Sequence, residues 1–250
     1  MDLEHENSSI MTNRIKTGIT GFDELIDGGI PQGSFVVVTG GPGTGKTILA
    51  SQFLANGVMK YDEKGLFISV EQPSEDIVAQ AKQFGWDFDK WENEGKIKII
   101  SLDSRKLFEL KIIDEIKAMI EENHYDRVVI DSITSFVYSS LTPHSIADGV
   151  DRGFQPSTYI EMSRANAVTF IDLVKRHGIT AFGIAQKIEG MPGETIDHVS
   201  EFKADGLFVL NSTAIGKNLN RTIQVKKLRK TRVDAIPHNF DFESGGICLR

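Results

Sequence analysis

The sequence predicts an α/β fold, with a mostly parallel sheet flanked by helices and antiparallel strands at its C-terminal edge. Three observations carry this. Short β-branched runs alternate with longer amphipathic ones along most of the chain. The strand segments are almost continuously apolar, as in Phe35-Val36-Val37-Val38, which fits strands covered on both faces. Strand-like runs then follow one another towards the C-terminus, where Ser244-Gly245-Gly246 marks a hairpin turn.

Taken in order, Phe35–Thr39 is a buried strand, and Gly45 to about Lys60 a helix with Ile48, Leu49, Phe53 and Leu54 as its apolar stripe. Leu66–Val70 is the next strand. Glu75–Phe84 is a helix with Ile77, Val78 and Ala81 at helical spacing. Ile97–Ile100 is strand-like, and Ile112–Glu122 carries Ile113, Ile116, Met119 and Ile120 on one helical face. Val128–Ile130 is a short, fully buried strand. Thr158–His177 is the longest helix, with Gly178 as its stop. Thr180–Ala185, Gly206–Leu210 and Thr222–Leu228 are strands, and Phe240–Phe242 pairs with Ile247–Leu249 in a terminal hairpin. Residues 1–13 are expected to fray and the rest to form a single domain. Ser139–Thr158 and Lys187–Lys203 lack a helical period and contain glycine and proline, so both are expected to be loops.

A chain of 250 residues buries roughly 70–75% of its unfolded surface, enough to fold without disulfides or structural metals. Its 40% hydrophobic and 25% charged residues are ordinary globular values. No apolar run approaches the roughly 18 residues of a membrane helix. The acidic start, Met1-Asp2-Leu3-Glu4, is unlike a secretory signal, and the one cysteine, Cys248, fits a reducing cytoplasm. The six histidines are scattered without zinc-ligand spacing, and no G-x-S-x-G elbow is present.

The strongest motif follows the first long strand. Gly40-Gly41-Pro42-Gly43-Thr44-Gly45-Lys46-Thr47 matches G-x-x-x-x-G-K-[ST], between a β-branched strand and an apolar-striped helix. Glycines let backbone N–H groups turn inward around a phosphate, and the helix N-terminus adds partial positive charge. The expected nucleotide-binding set is Gly41, Pro42, Gly43, Thr44, Gly45, Lys46, Thr47 and Ile48. Lys46 would reach the β- and γ-phosphates of ATP, and the Thr47 hydroxyl would ligate Mg²⁺. Asp126-Arg127-Val128-Val129-Ile130-Asp131 is an apolar strand ending in a carboxylate, which places Asp131 beside Thr47 at the metal. Glu71, directly after Leu66–Val70, stands where a water-activating base belongs; the residues alone leave open a merely solvated carboxylate there.

Thr17-Gly18-Ile19-Thr20-Gly21-Phe22-Asp23-Glu24-Leu25-Ile26-Asp27-Gly28-Gly29-Ile30-Pro31-Gln32-Gly33, running into the phosphate loop, resembles the opening of KaiC-type ATPases of the RecA superfamily. The likeness continues through Glu71-Gln72-Pro73-Ser74-Glu75-Asp76-Ile77, Phe84-Gly85-Trp86-Asp87, Val129-Ile130-Asp131-Ser132-Ile133-Thr134, Ala204-Asp205-Gly206, and from Arg221 to Lys227-Leu228-Arg229. It covers nearly the whole chain in the family's order, and the single-domain form is of the type common in archaea.

The resemblance implies a RecA-like P-loop fold and roles at matching positions. Glu71 becomes the water-activating residue, although the family's Glu-Glu pair is Glu71-Gln72 here, and an amide cannot accept a proton. Gln186 matches the glutamine that senses the γ-phosphate in RecA and RadA. Lys227 and Arg229 match the Lys-x-Arg finger that acts on a neighbouring subunit's nucleotide; their bland alternative is a charged edge strand. ATP at the interfaces of a hexameric ring follows from the same resemblance, with a further protein partner unknown.

Two alternatives remain at this point: a RadA-like recombination ATPase on DNA, and a slow ATP-dependent switch or scaffold. Charge weighs against nucleic acid. Lys187–Lys203 carries Lys187 and Lys203 against Glu189, Glu194, Asp197 and Glu201, and acidic loops do not neutralise phosphates. The basic run Lys226, Lys227, Arg229, Lys230 and Arg232 is what keeps DNA in play.

Overall fold

Alternate residues of the strand Phe35–Gly40 enter two different cores. Val36 and Val38 face one, and Phe35 and Val37 the other, all fully buried. That strand is therefore central, as its unbroken β-branched run demands.

A computed structural model describes residues 13–102, 110–138, 156–188, 190, 192–215 and 218–250. Strands β1 (Arg14–Ile15) and β2 (Ile30–Pro31) form a small antiparallel ribbon. The main elements follow: β3 (Phe35–Gly40), α1 (Lys46–Tyr61), β4 (Gly65–Ser69), α2 (Ser74–Gln83), α3 (Phe88–Asn93), β5 (Ile97–Ser101), α4 (Leu110–Asn123), β6 (Arg127–Asp131) and α5 (Ile133–Tyr138). Then come α6 (Pro156–Arg176), β7 (Thr180–Gln186), the short α7 (Ser200–Lys203), β8 (Gly206–Ile215), β9 (Asn218–Leu228), β10 (His238–Glu243) and β11 (Gly246–Leu249). The large sheet has nine strands in the order β11-β10-β9-β8-β3-β7-β6-β4-β5. From β8 to β5 every pair is parallel; β8-β9, β9-β10 and β10-β11 are antiparallel. This is the expected architecture.

Helix α1 fills one core with Leu49, Phe53 and Leu54, where Phe53 stacks on Phe182 of β7 at 4.2 Å. Helices α4 and α6 cover the other face with Ile116, Ile120, Phe170 and Val174. Trp86 and Trp91 are buried packing residues. Asp23 organises the N-terminal stretch by accepting from Thr17 N, the Thr17 hydroxyl and Gly18 N. Asn56 and Lys60 of α1 then donate to the Thr17 and Gly18 carbonyls, docking that stretch on the helix.

Arg127, at the start of β6, is fully buried in a position the strand pattern gave no reason to single out. It pairs with Glu63, donates to the carbonyls of Phe53 (2.7 Å) and Lys16 (2.8 Å), and lies over the Phe53 and Tyr61 rings. Burial lowers its pKa, and Glu63 opposes that shift. One guanidinium thus fixes α1 against β6, the two elements that begin with Lys46 and end with Asp131.

Some boundaries moved. Of the stretch 139–158, expected to be a loop, residues 139–155 lie outside the described residues, whereas 156–158 already belong to α6. Lys187–Lys203 contains α7 and a turn in which Asp197 accepts from Val199 N, Ser200 N and the Ser200 hydroxyl. Residues 1–12 lie outside the described residues, and the Asn13 carbonyl accepts from Gln32 N at 2.9 Å.

Candidate functional site

Four adjacent strands, β3, β7, β6 and β4, deliver their C-terminal ends to one place. Gly40 is level with Gln186, and Ser69 with Asp131. In a parallel sheet this edge is where ligands bind, because each strand there opens into a loop.

The phosphate loop leaves β3 at Gly40, whose φ of 152° and closeness to the Leu210 carbonyl leave no room for a Cβ. It enters α1 at Gly45, with φ 101°, where a Cβ would lie 2.7 Å from the Phe242 ring. Phe242 thus braces the loop from β10, and the Arg221 guanidinium lies over that ring at 4.7 Å. Within the loop, Lys46 Nζ donates to the Gly41 carbonyl at 2.8 Å and the Thr44 hydroxyl to the same oxygen at 2.9 Å. Thr47 Oγ1 donates to Asp131 Oδ2 at 2.6 Å, joining the start of α1 to the end of β6.

Burial sets the electrostatics. The Asp131 carboxyl is pushed up to about 6 by burial, with the Thr47 hydrogen bond and the Lys46 charge opposing and Glu71 reinforcing. Burial lowers the Lys46 pKa, against the pull of Asp131 and Glu71. Asp131 is therefore a buried carboxylate short of positive charge. An oxygen-ligated divalent cation fits that need, since Mg²⁺ is held by one or two protein oxygens plus substrate phosphates. Among the described residues no group of three or more His, Cys, Asp or Glu side chains forms an all-protein metal cage.

Ionising a buried Asp131 costs stability. The unfolded chain ionises it near 3.8 and the folded protein near about 6, so its contribution worsens from about pH 4 to about pH 6 and is fully unfavourable above. Asp131→Asn, which still accepts from Thr47, should stabilise the nucleotide-free protein at neutral pH by on the order of 1–3 kcal/mol. Thermal unfolding with and without the substitution checks this: the gap should close as pH falls towards about 4, and a variant less stable at neutral pH would contradict it.

Glu71 meets a cluster the sequence reading did not foresee. Its Oε1 accepts from the Ser132 hydroxyl at 2.5 Å, the Ser135 hydroxyl at 2.8 Å and Gln186 Nε2 at 2.8 Å. Gln186 is held in turn by its own N–H on Thr134 Oγ1, at 2.9 Å. The signal for these hydroxyls lay in Asp131-Ser132-Ile133-Thr134-Ser135, where three of the four residues after the acid can bond. Gln72 is exposed, and its backbone N–H and carbonyl bond the Ser69 hydroxyl.

Lys227 and Arg229 do not join this cluster in their own chain. Gly40 aligns with Leu210 of β8, and Leu210 with Ile223 of β9. Lys227 aligns with Leu207, three residues back, which is about 10 Å along the sheet. Arg229 Nη1 contacts Asp205 Oδ1 at 3.2 Å, an oxygen that Lys175 also reaches at 2.9 Å. Lys227 Nζ rests near the Glu201 and Phe202 carbonyls, its pKa lowered by burial and by the neighbouring Arg229. Both cations thus gather around Asp205, with Leu228 in the core behind them.

A family model described as "ATPase: KaiC" matches residues 15–249. The chain belongs to this family. Among its relatives, a UPF0273 protein of Sulfurisphaera tokodaii is 30% identical over 95% of this chain and 82% of its own length. The circadian clock oscillator protein KaiC of Synechococcus elongatus is 31% identical over 87% of this chain, which spans only 40% of that protein. In three dimensions, a KaiC-like protein from Pyrococcus horikoshii superposes with a TM-score of 0.78 at 30% identity, covering 96% of this chain and 99% of its own. The fold is thus the RecA-like P-loop fold of KaiC-family ATPases. No helix among the described residues is long and apolar enough to cross a membrane.

Proposed function

We propose that the chain is a single-domain, Mg²⁺-dependent ATPase that works as an oligomer with ATP at subunit interfaces, as a cytoplasmic regulatory or motor module. The observation that carries this reading is the convergence on Glu71: a carboxylate oriented by Ser132, Ser135 and Gln186, at the same sheet edge as Lys46 and the Thr47–Asp131 pair.

The backbone of Gly41–Thr47 would cradle the phosphates, with Ile48 continuing into α1. Lys46, now resting on the Gly41 carbonyl, can exchange that oxygen for β- and γ-phosphate oxygens. Thr47 and Asp131 would hold Mg²⁺, which when bound neutralises charge on the phosphate oxygens. Glu71 takes the proton of the attacking water. Gln186 donates to Glu71 now and can donate to a γ-phosphate oxygen instead, so its amide reports which is present. Lys227 and Arg229, remote from their own loop, would supply positive charge to the neighbour's transition state, as a hexameric ring of KaiC-family domains permits.

The DNA-recombination alternative gains no support from Lys187–Lys203, because Lys187 and the nearby Lys226 are both bound to Glu194. Phosphate release from Mg·ATP, with a chelator control, tests the reading. Release that stops when Mg²⁺ is removed is expected; protein that binds ATP but releases no phosphate at any concentration would leave the switch.

A further inference from the structure

The contacts of Glu194 join two parts of the proposed machinery that lie on different strands. Lys187, the residue after Gln186, donates from Nζ to Glu194 Oε2 at 2.7 Å. The other carboxylate oxygen, Oε1, pairs with Lys226 of β9. The Glu194 backbone is fixed as well: its carbonyl accepts from the hydroxyl of Thr39, the residue before the phosphate loop, at 2.5 Å, and its N–H donates to Glu201 Oε2 at 2.8 Å. Glu201 in turn offers its carbonyl to Lys227 at 3.3 Å. Ile196 N closes the turn on the Gln186 carbonyl at 3.1 Å.

Lys226 occupies a special place. The β8–β9 ladder pairs Phe208 with Val225 and Leu207 with Lys227, so Lys226 is the extra residue of a β-bulge. Strict alternation from Ile223 and Val225 would send Lys227 into the core. The bulge instead puts Leu228 there beside Val225 and turns Lys227 outward. A bulge re-aims a side chain without breaking the rest of the ladder. Burial works against ionisation of Glu194, but the ammoniums of Lys187 and Lys226 overcome it and hold the carboxyl below its usual range.

We propose that Glu194 is a positioning residue that couples Gln186 at the chain's own ATP site to the aim of Lys227 and Arg229 towards the next subunit. This rests on the ATPase reading above and adds a direction to it. When Gln186 exchanges Glu71 for a γ-phosphate oxygen, the movement passes through Lys187 and the Glu194 carboxylate to the Lys226 bulge. The occupancy of one site then sets the finger offered to the next.

Amide hydrogen exchange with a non-hydrolysable ATP analogue tests this without requiring turnover. In the wild-type protein the analogue should slow exchange across Gly40–Thr47 and change it across Val225–Arg229 by roughly tenfold, the scale of one charge-assisted hydrogen bond. Glu194→Gln keeps the shape but lacks the charge, and its amide can accept from only one of the two lysines. Its phosphate-loop response should match wild type, while the Val225–Arg229 response falls to about twofold or less. Lys226→Met should do the same from the other side. A full Val225–Arg229 response in both variants overturns the coupling, as does a wild-type response confined to the phosphate loop. No response at either place in the wild type would sink the nucleotide reading itself, and the coupling with it.

Discussion

Glu71→Gln should bind Mg·ATP as tightly as the wild-type protein and hydrolyse it about 10²–10⁴-fold more slowly. The two properties separate because of how Glu71 is held. Its Oε1 only accepts, from Ser132, Ser135 and Gln186, and the carbonyl oxygen of a glutamine accepts in the same place. The local fold therefore survives the substitution, and the binding groups at Lys46 and Thr47 are untouched. What is lost is a carboxylate able to take a proton from water. Gln72 stands in place of a second acid and cannot take that proton, and the nearby Asp131 is held by Thr47 for the metal. Isothermal binding paired with single-turnover hydrolysis measures both. Turnover within about threefold of wild type would remove Glu71 from the base role.

Arg229→Ala should cost on the order of 10³-fold in turnover, the scale of a lost finger cation. Its fold should hold, because Asp205 keeps Lys175 at 2.9 Å and the Phe35 N–H at 3.1 Å. The loss belongs to the neighbour's site, so mixing sets the two substitutions against each other. Arg229→Ala subunits retain Glu71, and Glu71→Gln subunits retain Arg229. In a mixed assembly some interfaces combine an intact Glu71 with an intact Arg229, and activity should return from two nearly inactive proteins. Flat, near-zero activity at every mixing ratio, from proteins shown to co-assemble, would count against a finger acting in trans.

Much of this was legible in the sequence because burial on both faces writes a continuous apolar run. Phe35–Val38 and Val128–Ile130 are such runs, and the structure places both strands inside the parallel sheet. The antiparallel edge was harder. Strands β8 and β9 extend well past the apolar cores expected for them, through Asn211-Ser212-Thr213 and Asn220-Arg221, which are held by the cross-strand ladder and carry no alternating apolar signal. Helix α5 follows Asp131 too closely for a separate period to show, and α7 is a single turn capped by Asp197.

The site divides in the same way. Backbone-dominated chemistry, as at Gly40–Thr47, needs particular residues in consecutive order and so leaves a motif. The convergence of Ser132, Ser135 and Gln186 on Glu71 depends on strand order, which no local pattern encodes. The bulge at Lys226 is subtler still. Lys227 and Arg229 flank Leu228 as simple alternation would have them, yet from Val225 that alternation fails, and only the ladder register shows why.

Specific ATPase activity against protein concentration, with the oligomer sized by light scattering in the same solutions with and without Mg·ATP, tests the central claim most directly. A fold that keeps Lys227 and Arg229 remote from its own phosphate loop predicts activity per chain that is low when dilute and climbs as the assembly forms. A rate that stays constant per chain from monomer to assembly would contradict it, because the site would then be complete within one subunit.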